Sequence, residues 1–149
     1  MSCEIQSNLD IKRFLPHRAP MLLVDIITDI SNNHVITTYT IPVDSIFLKD
    51  NILQETAIIE NMAQTCSAIV GQKYFNDESL DVKVIGFISA IKKIEILKLP
   101  ICNQTIETKA ELIARFEGDD YNICTMDVST FLQTELIAKG TINLFLQKV

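Results

Sequence analysis

The chain has 149 residues, a length that suits one domain with a substantial buried core. Hydrophobic residues make up 48% of it and charged residues 21%, with only 4 glycines and 4 prolines, which excludes disordered, collagen-like and low-complexity chains. The 13 basic and 19 acidic side chains give a net charge of −6, which argues against a nucleic-acid-binding protein. We therefore expect a single domain over residues 1–149.

The first part of the chain predicts a short helix, a strand hairpin and an irregular segment. Pro16 ends the first element, because a residue that precedes proline is biased away from the helical conformation. A turn sequence at residues 31–33 separates two runs rich in β-branched residues, which predicts the hairpin. The predicted elements are a short helix or turn at 9–15, strands at 21–30 and 35–41, and irregular chain at 44–54.

The period of the apolar residues then changes to that of an α-helix. The residues with this spacing are Ile59, Met62, Ala63, Cys66 and Val70. They predict one long helix over residues 56–74. Ile58 and Ile69 widen the apolar stripe, so we expect the helix to be buried on more than one side.

Four strands are predicted after a polar loop at residues 76–79. Residues 82–97 begin with apolar side chains on both faces, which favours a central strand. Alternating patterns predict strands at 106–116, 121–130 and 136–146, with the apolar residues of the first sharing one face from Ile106 to Phe116. Because a sheet with one apolar face needs a cover, we expect an α+β fold in which a curved antiparallel sheet wraps around one long central helix.

The cysteines and histidines do not predict a metal site. Cys3, Cys66, Cys102 and Cys124 form no CxxC pair, and the chain has only 2 histidines. We expect reduced, mostly buried thiols, and neither a metal nor a cofactor. No apolar run approaches the roughly 18 residues that span a bilayer, and residues 1–6 lack the features of a signal peptide. We therefore expect a soluble cytoplasmic protein without membrane contact.

Two motifs and their order resemble a known enzyme family. The first is Leu-Pro-His-Arg-Ala-Pro-Met-Leu-Leu-Val-Asp at residues 15–25, and the second is Ile-Ile-Glu-Asn-Met-Ala-Gln at residues 58–64. A third stretch, residues 86–93, is similar to a strand of the same family. Together they resemble the (3R)-hydroxyacyl-[acyl-carrier-protein] dehydratases, the FabZ/FabA-like family, over almost the whole chain. The resemblance implies a hotdog fold.

The resemblance also implies a reaction, the elimination of water from a 3-hydroxyacyl thioester. In the family a histidine removes a proton from C2 and a carboxyl group helps the 3-hydroxyl to leave, while backbone amides at the start of the helix polarise the carbonyl. The two side chains come from different subunits of a dimer. The implied partners are an acyl carrier protein that carries a phosphopantetheine thioester and a second hotdog subunit, and no nucleic acid.

The chain departs from the family in the loop before the helix. The family's GHFPGxPxxPG loop holds the catalytic histidine, whereas residues 47–56 contain no His, Gly or Pro. Asp50 aligns near that position, although a carboxylate is a weaker base than imidazole. His17 is the other candidate base; alternatively, it anchors the N-terminal segment by hydrogen bonds. The family's carboxylate is present as Glu60, while His34 is expected to be exposed in a turn.

Glu60 belongs to a narrow stripe of small and polar residues on an otherwise apolar helix. The stripe is either a solvated face or, as the resemblance implies, a site at a dimer interface, and we favour the site. Gln64 is expected to support Glu60 by hydrogen bonding. We expect Gln64, Thr56, Gly86 and Phe87 to bind the substrate.

Basic residues form two groups that are candidates for contact with an acidic carrier protein; alternatively, they are ordinary solvated surface. The groups are Lys12, Arg13 and Arg18, and Lys92, Lys93 and Lys98.

Three functions are compatible with these features. The first is a dehydratase of an atypical subgroup that acts alone, with His17 or Asp50 as the base. The second is a non-catalytic or half-catalytic subunit that lends Glu60 to a paralogue carrying the loop histidine. The third is an acyl thioesterase in which Glu60 activates water. The paired motifs favour the first.

Overall fold

A computed structural model describes residues 9–75 and 84–148 of the chain. Its regular elements, in chain order, are β1 (Leu9–Asp10), a 3-10 helix (Ile11–Arg13), β2 (Ile26–Ile30), β3 (His34–Thr40), β4 (Leu48–Lys49), β5 (Ile52–Leu53), α1 (Glu55–Phe75), β6 (Val84–Ile96), β7 (Thr105–Glu117), β8 (Tyr121–Leu132) and β9 (Glu135–Lys148). The predicted polar loop at 76–79 lies outside the described residues.

The larger sheet has the strand order β1-β2-β3-β7-β8-β9-β6. Each neighbouring pair in it runs antiparallel. Helix α1 packs against β3, β7, β8, β9 and β6, so the sheet curves around it. The predicted α+β hotdog architecture, a curved antiparallel sheet around one long helix, is confirmed.

The core lies between α1 and the concave face of the sheet. Within residues 57–70, only Ile59, Glu60 and Ser67 are not fully buried, which confirms that the helix is covered on more than one side. The sheet contributes fully buried apolar side chains such as Ile106 and Met126. Burial of each large apolar side chain stabilises the fold by about 1.5–3 kcal/mol, so the core holds α1 in one position.

Strand β6 lies at an edge of the sheet, so the prediction of a central strand is wrong. Within the described residues β6 pairs with β9 alone. Its apolar side chains include Phe87 and Ile91, which are 51% and 47% exposed. A pattern that is apolar on both faces shows that both faces are to be covered, but it does not show whether the cover comes from the same chain.

The segment before β2 is not a strand, although the sequence predicts one from residue 21. The carbonyl of Met21 and the backbone of Leu23 hydrogen-bond to side-chain amides of α1 instead of to a neighbouring strand, and the amide of Leu22 donates to the carbonyl of Arg18. Regular pairing begins at Ile26 and continues through the predicted hairpin of β2 and β3. The side chains of the helix therefore override the β propensity of this segment.

The segment at 44–54, predicted to be irregular, contains the small β4–β5 hairpin. Its turn residues Asp50 and Asn51 have φ values of 52° and 64°. Two successive residues in the left-handed region form the turn that best matches the twist of a two-stranded hairpin. The Asp-Asn pair is the local signal for this turn.

A bulge in β7 changes which residues face the helix. Leu112 pairs with Met126 and the next pair is Ala114 with Thr125, so Ile113 is the extra residue. An extra residue reverses the alternation, and Phe116 consequently lies on the outer face, opposite to Ile106. The prediction that these two share one face is therefore wrong beyond the bulge.

His34 begins β3 and is more constrained than the exposed turn residue that the sequence suggests. Its Nε2 lies 2.9 Å from Oδ2 of Asp29, and its Nδ1 lies 2.6 Å from Oγ of Ser31. These contacts close the β2–β3 turn.

Three of the cysteines lie among the described residues and form no disulfide there, and Cys3 lies outside the described residues. Cys66 and Cys124 are buried and Cys102 is half-buried. Burial raises the pKa of the Cys66 thiol, because the interior does not solvate a thiolate.

We predict that Cys66 is protected from alkylation at pH 8.5 in the folded protein and reacts after unfolding, because the thiolate is the nucleophile. Since the folded chain keeps this proton to a higher pH than the unfolded chain, the free energy of unfolding should fall as the pH rises above about 8.5. Peptide mass spectrometry after iodoacetamide treatment measures the labelling, with half-buried Cys102 as the internal control. Equal labelling of both thiols in the folded state would contradict the prediction.

Candidate active site

His17 and Glu60 face each other across a short gap. His17 lies in the irregular segment between the 3-10 helix and β2, and Glu60 lies in the second turn of α1. Nε2 of His17 is 3.8 Å from Oε1 of Glu60, and each side chain is 34% exposed. The separation exceeds that of a hydrogen bond, and both side chains reach the solvent-accessible surface. A carboxylate that can accept a proton and an imidazole that can donate or accept a hydrogen bond are groups suited to acid–base chemistry.

Gln64 fixes the carboxylate of Glu60 to the N-terminal segment. Its Oε1 accepts a hydrogen bond from the backbone N–H of Leu23 at 2.8 Å. Its Nε2 donates to the carbonyl of Met21 at 2.8 Å and to Oε1 of Glu60 at 3.0 Å. Because the amide oxygen and both amide hydrogens have defined partners, the Gln64 side chain has one orientation. The expected support of Glu60 by Gln64 takes this form within the chain.

Arg18 holds the turn that carries His17. Its Nη1 donates to the carbonyls of Leu15 at 3.0 Å and of His17 at 2.7 Å. The ring of His17 does not provide the anchor that one sequence interpretation assigned to it. Its Nδ1 is buried and finds no hydrogen-bond partner within residues 9–75 and 84–148, and its Nε2 is beyond hydrogen-bond distance of Glu60. The guanidinium group thus fastens the segment, which leaves Nε2 exposed to the site.

Asn61 is a second buried amide that ties the site to the fold, and the sequence analysis did not identify it. Its Nδ2 donates to the carbonyl of Leu23 at 2.7 Å, and its Oδ1 accepts from Oγ1 of Thr108 at 2.7 Å. Thr108 in turn lies 2.9 Å from Oγ1 of Thr130. An asparagine between apolar neighbours in the helix is the signal that could have indicated it.

Asp50 lies at the exposed tip of the β4–β5 hairpin. In the described part of the chain it forms no hydrogen bond or ion pair with His17 or Glu60. Its left-handed backbone gives it a clear conformational role in the turn. The structure therefore brings two of the three predicted catalytic residues together and leaves Asp50 separate from them.

Thr56 is exposed in the first turn of α1. Ala57 and Ile58 donate their amides to the carbonyl of Gln54, whereas the amides of Glu55 and Thr56 find no acceptor in the residues that the structure describes. Free amides at a helix N-terminus attract negative charge, as a polarised thioester carbonyl would supply. The contact with substrate that the sequence predicts for Thr56 could therefore be made by its backbone amide.

Gly86 and Phe87 lie on opposite faces of β6. Gly86 is exposed and pairs with the buried Leu146, where an added Cβ would come within 2.9 Å of Cδ2 of that leucine. Phe87 lies on the outer face and packs on Phe145, with ring centroids 5.1 Å apart. Within one chain the structure therefore does not bring Phe87 together with Glu60.

The described residues contain no group of three or more His, Cys, Asp or Glu side chains arranged to hold a metal ion. None of the described helices combines the length and apolar character required to cross a membrane.

Comparison with known proteins identifies relatives along nearly the whole chain. Residues 9–148 match the model of the ApeP-like family, described as ApeP dehydratase. The 3-hydroxyacyl-[acyl-carrier-protein] dehydratase FabZ of Streptococcus uberis is 26% identical over 139 residues, which cover 90% of this chain and 93% of that protein. FabZ of Acinetobacter baumannii is 25% identical over 123 residues, covering 79% and 83%.

Among solved structures, the dehydratase heterocomplex ApeI:P from Xenorhabdus doucetiae superposes with a TM-score of 0.78 at 21% identity, over 92% of this chain and 90% of that chain. This likeness confirms the hotdog fold. The family match runs from β1 to β9 and includes the segments of His17 and Glu60, which confirms the resemblance inferred from the motifs. The chain therefore belongs to the ApeP-like dehydratase family.

Proposed function

We propose that the chain eliminates water from a 3-hydroxyacyl thioester of an acyl carrier protein, with His17 and Glu60 as the acting pair. The observation that carries this proposal is the 3.8 Å approach of the two side chains at an accessible site in a member of a dehydratase family. Elimination needs a group that accepts the C2 proton and a group that assists the departing hydroxyl. A histidine and a carboxylate meet that need without a loop histidine.

The surroundings of the pair support the same reaction. Gln64 orients the carboxylate, and the free amides at the start of α1 are suited to polarise a thioester carbonyl. Lys12 and Arg13 are exposed in the same N-terminal region as His17, where they would attract an acidic carrier protein. Lys93 and Lys98 contribute less to such attraction, because they pair with Glu95 and Glu135.

The test is to incubate the purified chain alone with a 3-hydroxyacyl carrier protein and with the corresponding pantetheine thioester. We expect mass spectrometry to show the loss of one water molecule, faster from the carrier-bound substrate, and a thiol assay to show no release of free thiol. Release of thiol without loss of water would contradict the proposal and support an acyl thioesterase. No reaction of a folded chain would contradict an enzyme that acts alone.

A half-catalytic subunit is the second candidate, and two observations favour it. The relative from Xenorhabdus doucetiae was solved as a heterocomplex, and residues 47–56 of this chain lack a histidine. In this case the chain would contribute Glu60 and one wall of a site completed by a paralogue. Co-expression with such a paralogue should then yield a heterodimer that is active where each chain alone is inactive. Recovery of separate homodimers would contradict this candidate.

Strand β6 is the edge through which we expect a second hotdog chain, identical or paralogous, to bind. An edge strand with exposed apolar residues is a template for pairing with another chain.

We predict that Ile91→Glu weakens dimerisation, because it places a charge where an apolar contact forms. Ile113→Glu is the matched control, since Ile113 is 53% exposed but lies on β7, between β3 and β8. Light scattering after size-exclusion chromatography measures the mass. An unchanged dimer with Ile91→Glu would place the interface elsewhere.

A further inference from the structure

The two nitrogens of the His17 ring have different surroundings. Nδ1 is buried and has no hydrogen-bond partner among the residues that the structure describes. Nε2 faces Oε1 of Glu60 from 3.8 Å, on the exposed side of the ring. Because the chain's own atoms enclose Nδ1, neither a substrate nor a second subunit can supply it with a partner. A neutral imidazole carries one proton, and these surroundings determine which nitrogen holds it.

A proton on Nδ1 would create a buried N–H group without an acceptor. Orphaned buried N–H groups are rare in native proteins, and an unsatisfied buried donor loses its hydration without compensation. A proton on Nε2 points toward a carboxylate and toward accessible space. The neutral ring is therefore more stable with its proton on Nε2, which leaves the lone pair on buried Nδ1.

This arrangement has a chemical consequence, because a nitrogen that already carries a proton has no lone pair with which to remove another. We propose that His17 acts as a hydrogen-bond donor through Nε2 and that Glu60 is the group that removes the C2 proton. The inference rests on the dehydration proposed above. It assigns the base to the carboxylate and not to the histidine.

In this elimination Glu60 is the one side chain that gains a proton and then loses it. A carboxylate oxygen of Glu60 takes the C2 proton, the electrons of the C–H bond form the C2=C3 double bond, and the C3–O bond breaks. The proton on Glu60 then passes to the departing oxygen, which leaves as water and restores the carboxylate. His17 keeps its proton and donates a hydrogen bond to the 3-hydroxyl oxygen while negative charge develops there.

The contacts of Glu60 suit this role. Oε1 accepts a hydrogen bond from Gln64, whereas Oε2 has no hydrogen-bond partner within the described ranges. The first oxygen thus holds the carboxylate in place while the second is available to take a proton. Arg18 donates a hydrogen bond to the carbonyl of His17, which fixes the backbone of the turn that carries the His17 ring.

Nitrogen chemical shifts distinguish the tautomers directly and require no turnover. A long-range nitrogen–proton spectrum of the full chain, labelled with ¹⁵N and recorded at slightly alkaline pH, should show the His17 proton on Nε2. The signals are assigned by their loss in His17→Gln, and those of His34 remain as an internal reference. A proton on Nδ1 would overturn the inference. This measurement decides the tautomer even if the chain is inactive alone, which separates the failure of the inference from the failure of the proposed function.

Turnover of a 3-hydroxyacyl carrier protein gives the second test. The amide of glutamine reaches about as far as Nε2 and donates a hydrogen bond, but it does not act as a base at this pH. We expect His17→Gln to stay within about tenfold of the wild type and His17→Ala to lose about 10²-fold in kcat. Thermal unfolding verifies that both variants fold. Equal inactivity of the two folded variants would overturn the inference, because it would show that His17 must accept a proton.

Discussion

Replacement of Glu60 by glutamine is expected to lower kcat/KM for dehydration by about 10³-fold, within the range that a positioned acid–base group contributes. Glutamine has nearly the same size as glutamate, and its amide oxygen can still accept the hydrogen bond from Nε2 of Gln64. What it loses is the ability to take a proton. The assay is the loss of water from a 3-hydroxyacyl carrier protein, with thermal unfolding as a check that the fold is retained.

The matched control for this variant is Glu135→Gln. Glu135 pairs with Lys98 on the exposed surface, so the same chemical change there should leave kcat/KM unchanged. If Glu60→Gln retained wild-type turnover, another group would have to remove the C2 proton. Asp50 would then be the next residue to replace, because the sequence identified it as an alternative base.

The Asn61→Ala substitution is expected to lower the free energy of unfolding by about 2–3 kcal/mol. The buried carbonyl of Leu23 loses its donor, and Oγ1 of Thr108 loses an acceptor. A buried polar group without a partner keeps its desolvation cost, whereas the unfolded chain satisfies the same group with water. For a chain of this length the melting temperature should fall by about 4–10 °C, as calorimetry can measure.

Two further variants test the cause of that loss. Asn32→Ala removes an exposed asparagine in the β2–β3 turn and should change the stability little. A double-mutant cycle of Asn61→Ala with Thr108→Val should be non-additive by about 1 kcal/mol, because the two side chains share a hydrogen bond. Additive losses would show that the hydrogen bond between these two side chains contributes nothing, and an Asn61→Ala variant as stable as the wild type would show the same of the whole network.

Local patterns were sufficient to predict most of the elements. The spacing of Met62, Cys66 and their neighbours predicts α1 to within one residue at each end. The turn at 31–33 predicts the β2–β3 hairpin, and alternation predicts β8 and β9. Each of these patterns shows which side of its own element faces the core, because side chains return to the same side of a helix or a strand with a fixed period.

Local patterns failed where a contact with another segment decided the conformation. Residues 21–23 read as a strand, yet amides of α1, some forty residues away, bind their backbone. The bulge at Ile113 depends on the register with β8, and the edge position of β6 depends on the strand order. The period of the apolar residues indicates neither the register between paired strands nor the order of the strands in the sheet.

The candidate site also combines features that the local sequence predicts with features that depend on contacts between distant segments. Residue identity and local spacing are enough to predict the fold class, the family resemblance and the presence of His17, Glu60 and Gln64. Three features become visible in the folded chain alone: His17 and Glu60 approach each other, Asp50 does not join them, and one nitrogen of His17 is buried. The physical reason is that proximity and burial arise when α1 packs against the sheet and binds the N-terminal segment, which brings together residues that are far apart along the chain.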